Sequence, residues 1–269
     1  MAALMMWQSA LGLAYWQSTL NPPHAEPAHY ASTANANAFF SEPFRVGWWE
    51  GFLMTLATTA LTILLELSSM GTLRKLLRSS EGSTLYAKAL FANVFNNFAL
   101  GPVTYATATR FLCSQQRLAP LACARATVGL LLVQSVGYYA AHWAMHRRSF
   151  YWAHKFHHKF AEHVIPMAAN AVSPAEYAVA YMLPIVAGIG CFAPDANALA
   201  YAVALISGAN ILIHTPPLER MAEKYLPWWL VGTDAHLTHH RKLNTNFAAP
   251  TLNVDALLAA AVVFKNKRA

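Results

Sequence analysis

Long runs without a charged side chain constrain this chain more than any other feature. Gly51–Met70 is apolar except for Glu66 near its end, residues 89–109 carry no charge, and Ala126–Ala141 is again uncharged. Two further runs, Tyr177–Ala193 and Leu199–Ile213, are separated by Pro194, Asp195 and Asn197. A helix needs roughly 20 apolar residues, and at least about 17, to cross the hydrocarbon core of a bilayer. These runs predict an all-α, polytopic membrane protein with about four to five transmembrane helices. Composition agrees: 12% of the residues are charged and 56% apolar, against roughly 25% charged in a soluble domain. The apolar content excludes disorder, and 12 glycines and 3 cysteines exclude a collagen-like or disulfide-stapled fold. Cys113, Cys123 and Cys191 form no CxxC pair and read as packed thiols.

The chain carries 19 Lys+Arg against 12 Asp+Glu, a formal charge of +7. No dense basic stripe accompanies that excess, so it does not point to nucleic acid. In a membrane protein, such an excess marks cytosolic loops. With five crossings and the N-terminus outside, segments 71–88, 142–176 and 214–269 become cytosolic and hold 15 of the 19 basic residues. Residues 1–50 then form an N-terminal lumenal or interfacial segment, and 51–141 supply membrane helices. Residues 142–269 contain a membrane hairpin, 177–213, and a C-terminal cap that includes a short helix over Val254–Phe264. Residues 1–23 have no basic stretch of the secretory kind and read as interfacial. His24 and His29, in the polar loop that follows, read as surface residues.

Ten of the 12 histidines lie between His142 and His240, all on the cytosolic side of this topology. They form three boxes: His142-Trp-Ala-Met-His146, His154-Lys-Phe-His157-His158 and His236-Leu-Thr-His239-His240. Spacings of i, i+3 and i+4 share a helix face, so each box is expected to aim two or three imidazoles at one point. Neutral imidazole is a ligand for Fe, Zn, Cu and Ni. His163 lies outside this spacing and reads as a surface residue. A catalytic zinc uses about three protein ligands and a water, so the boxes, with His214 nearby, are too many for one zinc. The glutamate of a zinc-protease HExxH motif is also missing, because Trp143 stands in its place. Count and ligand type favour a dimetal centre, most simply di-iron.

The order HxxxH, HxxHH, membrane hairpin, HxxHH resembles the fatty acid hydroxylase/sterol desaturase superfamily of membrane di-iron oxygenases. The resemblance runs over about residues 50–255 and is strongest over 138–250. Its further marks are Tyr138-Tyr139 before box one, Ser173-Pro174-Ala175-Glu176 after box two, and Asn246-Phe247 after box three. His214 matches a further ligand at the end of the hairpin. Asn210, one turn earlier, is a candidate outer ligand or a helix-packing amide. Asp234 is placed either to orient a ligand imidazole or to cap the box-three helix. The chain departs from the family pattern at Gln134 and Ser135, where acidic residues are common, at Trp143, where Arg is frequent, and at Ser173.

The resemblance implies two Fe ions held by His142, His146, His154, His157, His158, His214, His236, His239 and His240. It implies O2 as co-substrate and oxidation of an unactivated lipid C–H bond. The chain shows no haem-binding His-Pro-Gly-Gly element and no flavin or nicotinamide fingerprint. Electrons are therefore expected from NAD(P)H through a membrane partner such as cytochrome b5 and its reductase. Lys265 and Lys267 resemble a KxKxx retrieval signal of the endoplasmic reticulum membrane, against a plain solvated tail. A length near 270 residues without an appended domain is closer to sterol-type members, so the expected substrate is a sterol or sterol precursor. The alternatives are a fatty acyl or other lipid hydroxylase on the same centre, and a non-catalytic metal-binding protein. A metal transporter would line its spans with histidines or acids, and here the spans are nearly free of both.

Overall fold

The computed structural model describes residues 42–266, and all the regular structure among them is helical. The expectations for residues 1–41, His24 and His29 included, and for Lys267 lie outside those residues. The long helices are α1 (Glu42–Ser68), α5 (Pro120–Met145) and α9 (Ala196–Ile213). Between α1 and α5 come α2 (Met70–Arg78), α3 (Gly82–Val94) and α4 (Gly101–Phe111); α6 (Tyr151–His154) follows α5. Short α7 (Pro174–Glu176) leads through a π-turn into α8 (Leu183–Phe192). The cap is built from α10 (Glu219–Tyr225), α11 (Thr233–Lys242) and α12 (Val254–Asn266). Four stretches are long and apolar enough to cross a membrane: Glu42–Ser68, Pro120–Met145, Pro174–Phe192 and Ala196–Ile213. Their outer faces expose Leu64, Leu67, Val136, Leu183 and Tyr201, as helices bathed in lipid do. This is a membrane protein.

The second apolar run differs from a plain span. Its helix widens into a π-turn over Phe95–Leu100 before α4 resumes. Pro102 causes this, because it has no N–H to give the carbonyl four residues back and its ring crowds that turn. The same device recurs at Tyr177–Met182, just ahead of Pro184. Despite the interruption, the segment runs antiparallel to α1, since Gly47 meets Thr109, Gly51 meets Pro102 and Tyr105, and the Thr55 hydroxyl bonds Asn97 O at 2.8 Å.

Contacts define the two ends of the bundle. At one end Ser114 N donates to Pro194 O at 2.8 Å, and Leu118 N to the Asp195 carboxylate at 3.0 Å. Thr127 on α5 donates to Ala198 O near the start of α9, so these two helices run parallel and deliver His142 and His214 to the opposite end. Cys113 and Cys123 are buried free thiols near the first end, whereas Cys191 is exposed rather than packed.

Helices α5 and α8 approach closely through small residues. A Cβ built on Gly137 would lie 2.7 Å from Pro184 Cβ, whereas one on Gly190 would meet nothing within 4 Å. Gly137→Val should therefore destabilise the detergent-solubilised protein by about 1–3 kcal/mol through overpacking, read as a lower melting temperature. Gly190→Ala should leave the melting temperature unchanged.

Candidate metal centre

The histidines come from four helical pieces meeting at one end of the bundle. The last turn of α5 and its cap residue carry His142 and His146, and the end of α9 carries His214 as its cap. His154, His157 and His158 lie on α6 and the 3-10 turn after it, and α11 carries His236, His239 and His240. All are buried except His146, which is half-buried. His163 lies outside the cluster.

They form two sets: His142, His146, His154, His158 and His239, and then His157, His214, His236 and His240, the donor atoms within each set all within 4.8 Å of one another. Boxes two and three are thus divided rather than aimed at single points. On a helix, i+4 lies about 40° round from i, whereas i+3 lies about 60° round the other way. On α11, His236 and His240 therefore stay together while His239 crosses over; across the end of α6 and the 3-10 turn, His154 and His158 go to one set and His157 to the other.

Within the first set, Nε2 atoms stand 2.9 Å apart for His142 and His154, 2.8 Å for His154 and His158, and 3.1 Å for His146 and His158. In the second, His214 and His236 are 2.9 Å apart, and His236 and His240 3.2 Å. Two imidazoles at adjacent positions on one ion, each at roughly 2.0–2.1 Å, would stand about 3 Å apart. The donor sets therefore fit a metal ion each.

Partners behind the rings fix the donors. His142 Nδ1 donates to Phe247 O at 2.7 Å, His239 Nδ1 to Thr245 O at 2.7 Å, and His214 Nδ1 to Asn210 O at 2.6 Å. A carbonyl can only accept, so in these three rings Nδ1 holds the hydrogen and Nε2 turns its lone pair inward. Leu243 and Asn246, at φ 64° and 55°, fold the chain back after α11 so that Thr245 and Phe247 reach the rings. This gives the Asn246-Phe247 motif its physical role, and the Phe247 ring also packs on His146 at 5.2 Å. His154 Nδ1 meets a carboxylate instead, Glu176 Oε1 at 2.8 Å, with both side chains fully buried. Ser173 caps the turn that carries Glu176, accepting from its N–H at 3.1 Å.

Burial disfavours the charged form of an imidazole. Desolvation, reinforced by neighbouring rings, pushes His157, His236 and His240 well below the usual histidine range. It lowers His239 and His214 to about 4, against the carbonyls that support their charged forms, and His146 to about 3. At neutral pH these six rings are unprotonated donors.

Two further residues take other places. The Asn210 side chain donates to Ala169 O at 3.0 Å, a packing role, while its backbone carbonyl orients His214. Asp234 is in the first turn of α11, where its charge favours the helix dipole. Gly232 occupies the cap position there, and among the described residues no hydrogen bond joins Asp234 to an imidazole. The acid that does meet an imidazole is Glu176, whose sequence signal was its place in the Ser-Pro-Ala-Glu stretch.

Paired sets of imidazoles at the end of a helical bundle define a membrane protein with two donor sets, each of which could hold a metal ion. Residues 127–259 match the family model for fatty acid hydroxylase, which supports the fatty acid hydroxylase/sterol desaturase superfamily for this region. Comparison with curated proteins finds no significant match, and neither does comparison with solved structures.

The two sets should load separately. The double variant His236→Ala/His240→Ala should fall from about two bound metal ions per chain to about one, measured by elemental analysis. Glu176→Gln, which removes the charge behind His154, should weaken metal retention about tenfold against a chelator without unfolding the protein.

Proposed function

We propose that this protein is a di-iron, O2-dependent membrane oxidoreductase that hydroxylates or desaturates an unactivated C–H position of a sterol or sterol-precursor lipid. The observation that carries the reading is the pair of histidine sets, with inward Nε2 atoms at the spacing of ligands on one ion. Nine nitrogen donors suit two ions with open positions better than one zinc, and box one offers no general base. Two iron ions held there would supply reductive activation of O2 and the oxidation of the C–H bond.

The chain's own residues do the rest. His142, His146, His154, His158 and His239 would hold one ion, and His157, His214, His236 and His240 the other. Glu176 and the carbonyls of Asn210, Thr245 and Phe247 hold the rings in their donor tautomers. Burial keeps water from the reacting carbon and fixes its approach. Electrons would come from NAD(P)H by way of a membrane donor such as cytochrome b5 and its reductase. Arg147, Arg148, Lys155 and Lys159 are exposed at the histidine end and would suit an acidic donor. The charge asymmetry and the pair Lys265 and Lys267 support an endoplasmic reticulum membrane with the histidine boxes facing the cytosol.

The purified protein should contain about two irons per chain, and His157→Ala should abolish both product and substrate-dependent O2 uptake. Lipid profiles of a deletion strain identify the substrate class. Sterol intermediates accumulate if the sterol reading holds, whereas acyl chains lose a hydroxyl if the centre serves a fatty acyl lipid. Full activity after complete chelation would overturn the di-iron reading.

A further inference from the structure

Inside the bundle, below the histidine layer, lies a cavity of about 140 Å³. Its wall includes both proline-induced π-turns, through Asn96 and Asn97 on one side and Tyr177 and Tyr181 on the other. The second turn meets the start of α4, where the Thr104 and Tyr177 hydroxyls stand 3.3 Å apart. The widened backbones open space that regular helices would close. Tyr181 links the cavity to the centre, because its ring packs at 5.3 Å on Tyr138, which packs at 5.2 Å on His142.

The described residues bury four side-chain amides, those of Asn93, Asn96, Asn210 and Gln134. The first three donate to backbone carbonyls. Gln134 is fully buried, lines the cavity, and has no partner for either its oxygen or its nitrogen among the described residues. A buried amide left unpaired is destabilising, so one turned into a cavity marks a place where a ligand completes the bonding. The cavity lining contains no Asp, Glu, Lys, Arg or His. A carboxylate, a phosphate or a nucleotide carrier would enter it without a counter-charge.

We infer that this cavity binds an uncharged lipid bearing a hydroxyl or carbonyl oxygen, and that Gln134 is the specificity-determining residue that recognises that oxygen. An amide serves both kinds of group, donating to a carbonyl and both donating to and accepting from a hydroxyl. Gln134 precedes His142 by eight residues of one helix, so the recognised oxygen lies about 12 Å along the axis from the histidine layer. The inference deepens the reading of the protein as a lipid oxygenase and rests on it.

The test is equilibrium binding of radiolabelled probes to the full-length protein in detergent, with and without iron. Cholesterol is compared with cholestane, hexadecanol with hexadecane, and oleate serves as the charged probe. The wild-type protein should prefer the hydroxylated member of at least one pair by about tenfold or more, and should bind it more tightly than oleate. Gln134→Leu and the length-preserving Gln134→Met should bring that preference close to one. Both variants should keep the wild-type metal content and melt at the same temperature or higher, because two unpaired polar atoms are removed. No preference in either pair, a preference that survives both substitutions, or oleate binding as tight as the alcohol would overturn the inference. The assay involves no turnover, so a protein that selects the alcohol but consumes no O2 would refute the oxygenase reading and leave the recognition site standing.

Discussion

Between box two and the membrane hairpin the chain crosses the bundle as two 3-10 turns, and their peptide groups must be satisfied away from water. The surrounding helices do this with side chains. Asn93 Nδ2 donates to Met167 O at 2.7 Å, Asn96 Nδ2 to Asn170 O and Val172 O at 3.1 and 3.2 Å, and Asn210 Nδ2 to Ala169 O at 3.0 Å. Glu66 on α1 accepts from Met167 N at 3.0 Å. An unpaired peptide group in an apolar interior costs several kcal/mol, so these contacts decide whether the segment can lie where it does. The segment places Ser173, Ser173 caps the turn of Glu176, and Glu176 backs His154. A polar set on the surrounding helices thus reaches the metal centre through one stretch of loop.

The general architecture was legible because it depends on hydropathy. A charge-free run of sufficient length has few places to go other than a bilayer, and four of the expected runs are continuous apolar helices. The histidine cluster was legible because helical spacing survives folding. The polar character of Asn93 and Asn96 was also visible, but their partners were not. The amides hold the carbonyls of a loop more than 70 residues away. No local pattern reveals a pairing of that range. Division of the boxes between two sets was likewise hidden, because i, i+3 and i+4 share a broad face and only the position of the other helices splits that face in two.

Asp234 and Glu176 show the same limit from the other side. Asp234 lies two residues from His236 in sequence, yet among the described residues it makes no hydrogen bond to an imidazole. Glu176 lies 22 residues from His154 and is pressed against it, because the turn capped by Ser173 returns the chain to α6; the Ser173 hydroxyl also donates to Ala153 O at 2.6 Å. A hydrogen-bonded turn, rather than sequence proximity, brings the carboxylate that meets an imidazole.

The same packing explains why the centre and the cavity sit together. Parallel α5 and α9 carry His142 and His214 to one level, and their inner faces below that level carry Gln134 and Asn210. Helices packed regularly around them would leave no room between those faces. Pro102 and Pro184 each force a wider turn one layer below the histidines, on the two segments that face this gap. Among the membrane-embedded helices, then, the two π-turns lie beside the cavity proposed to take the lipid. The rigid, hydrogen-bonded loop lies above it, where the ligands need to be held still.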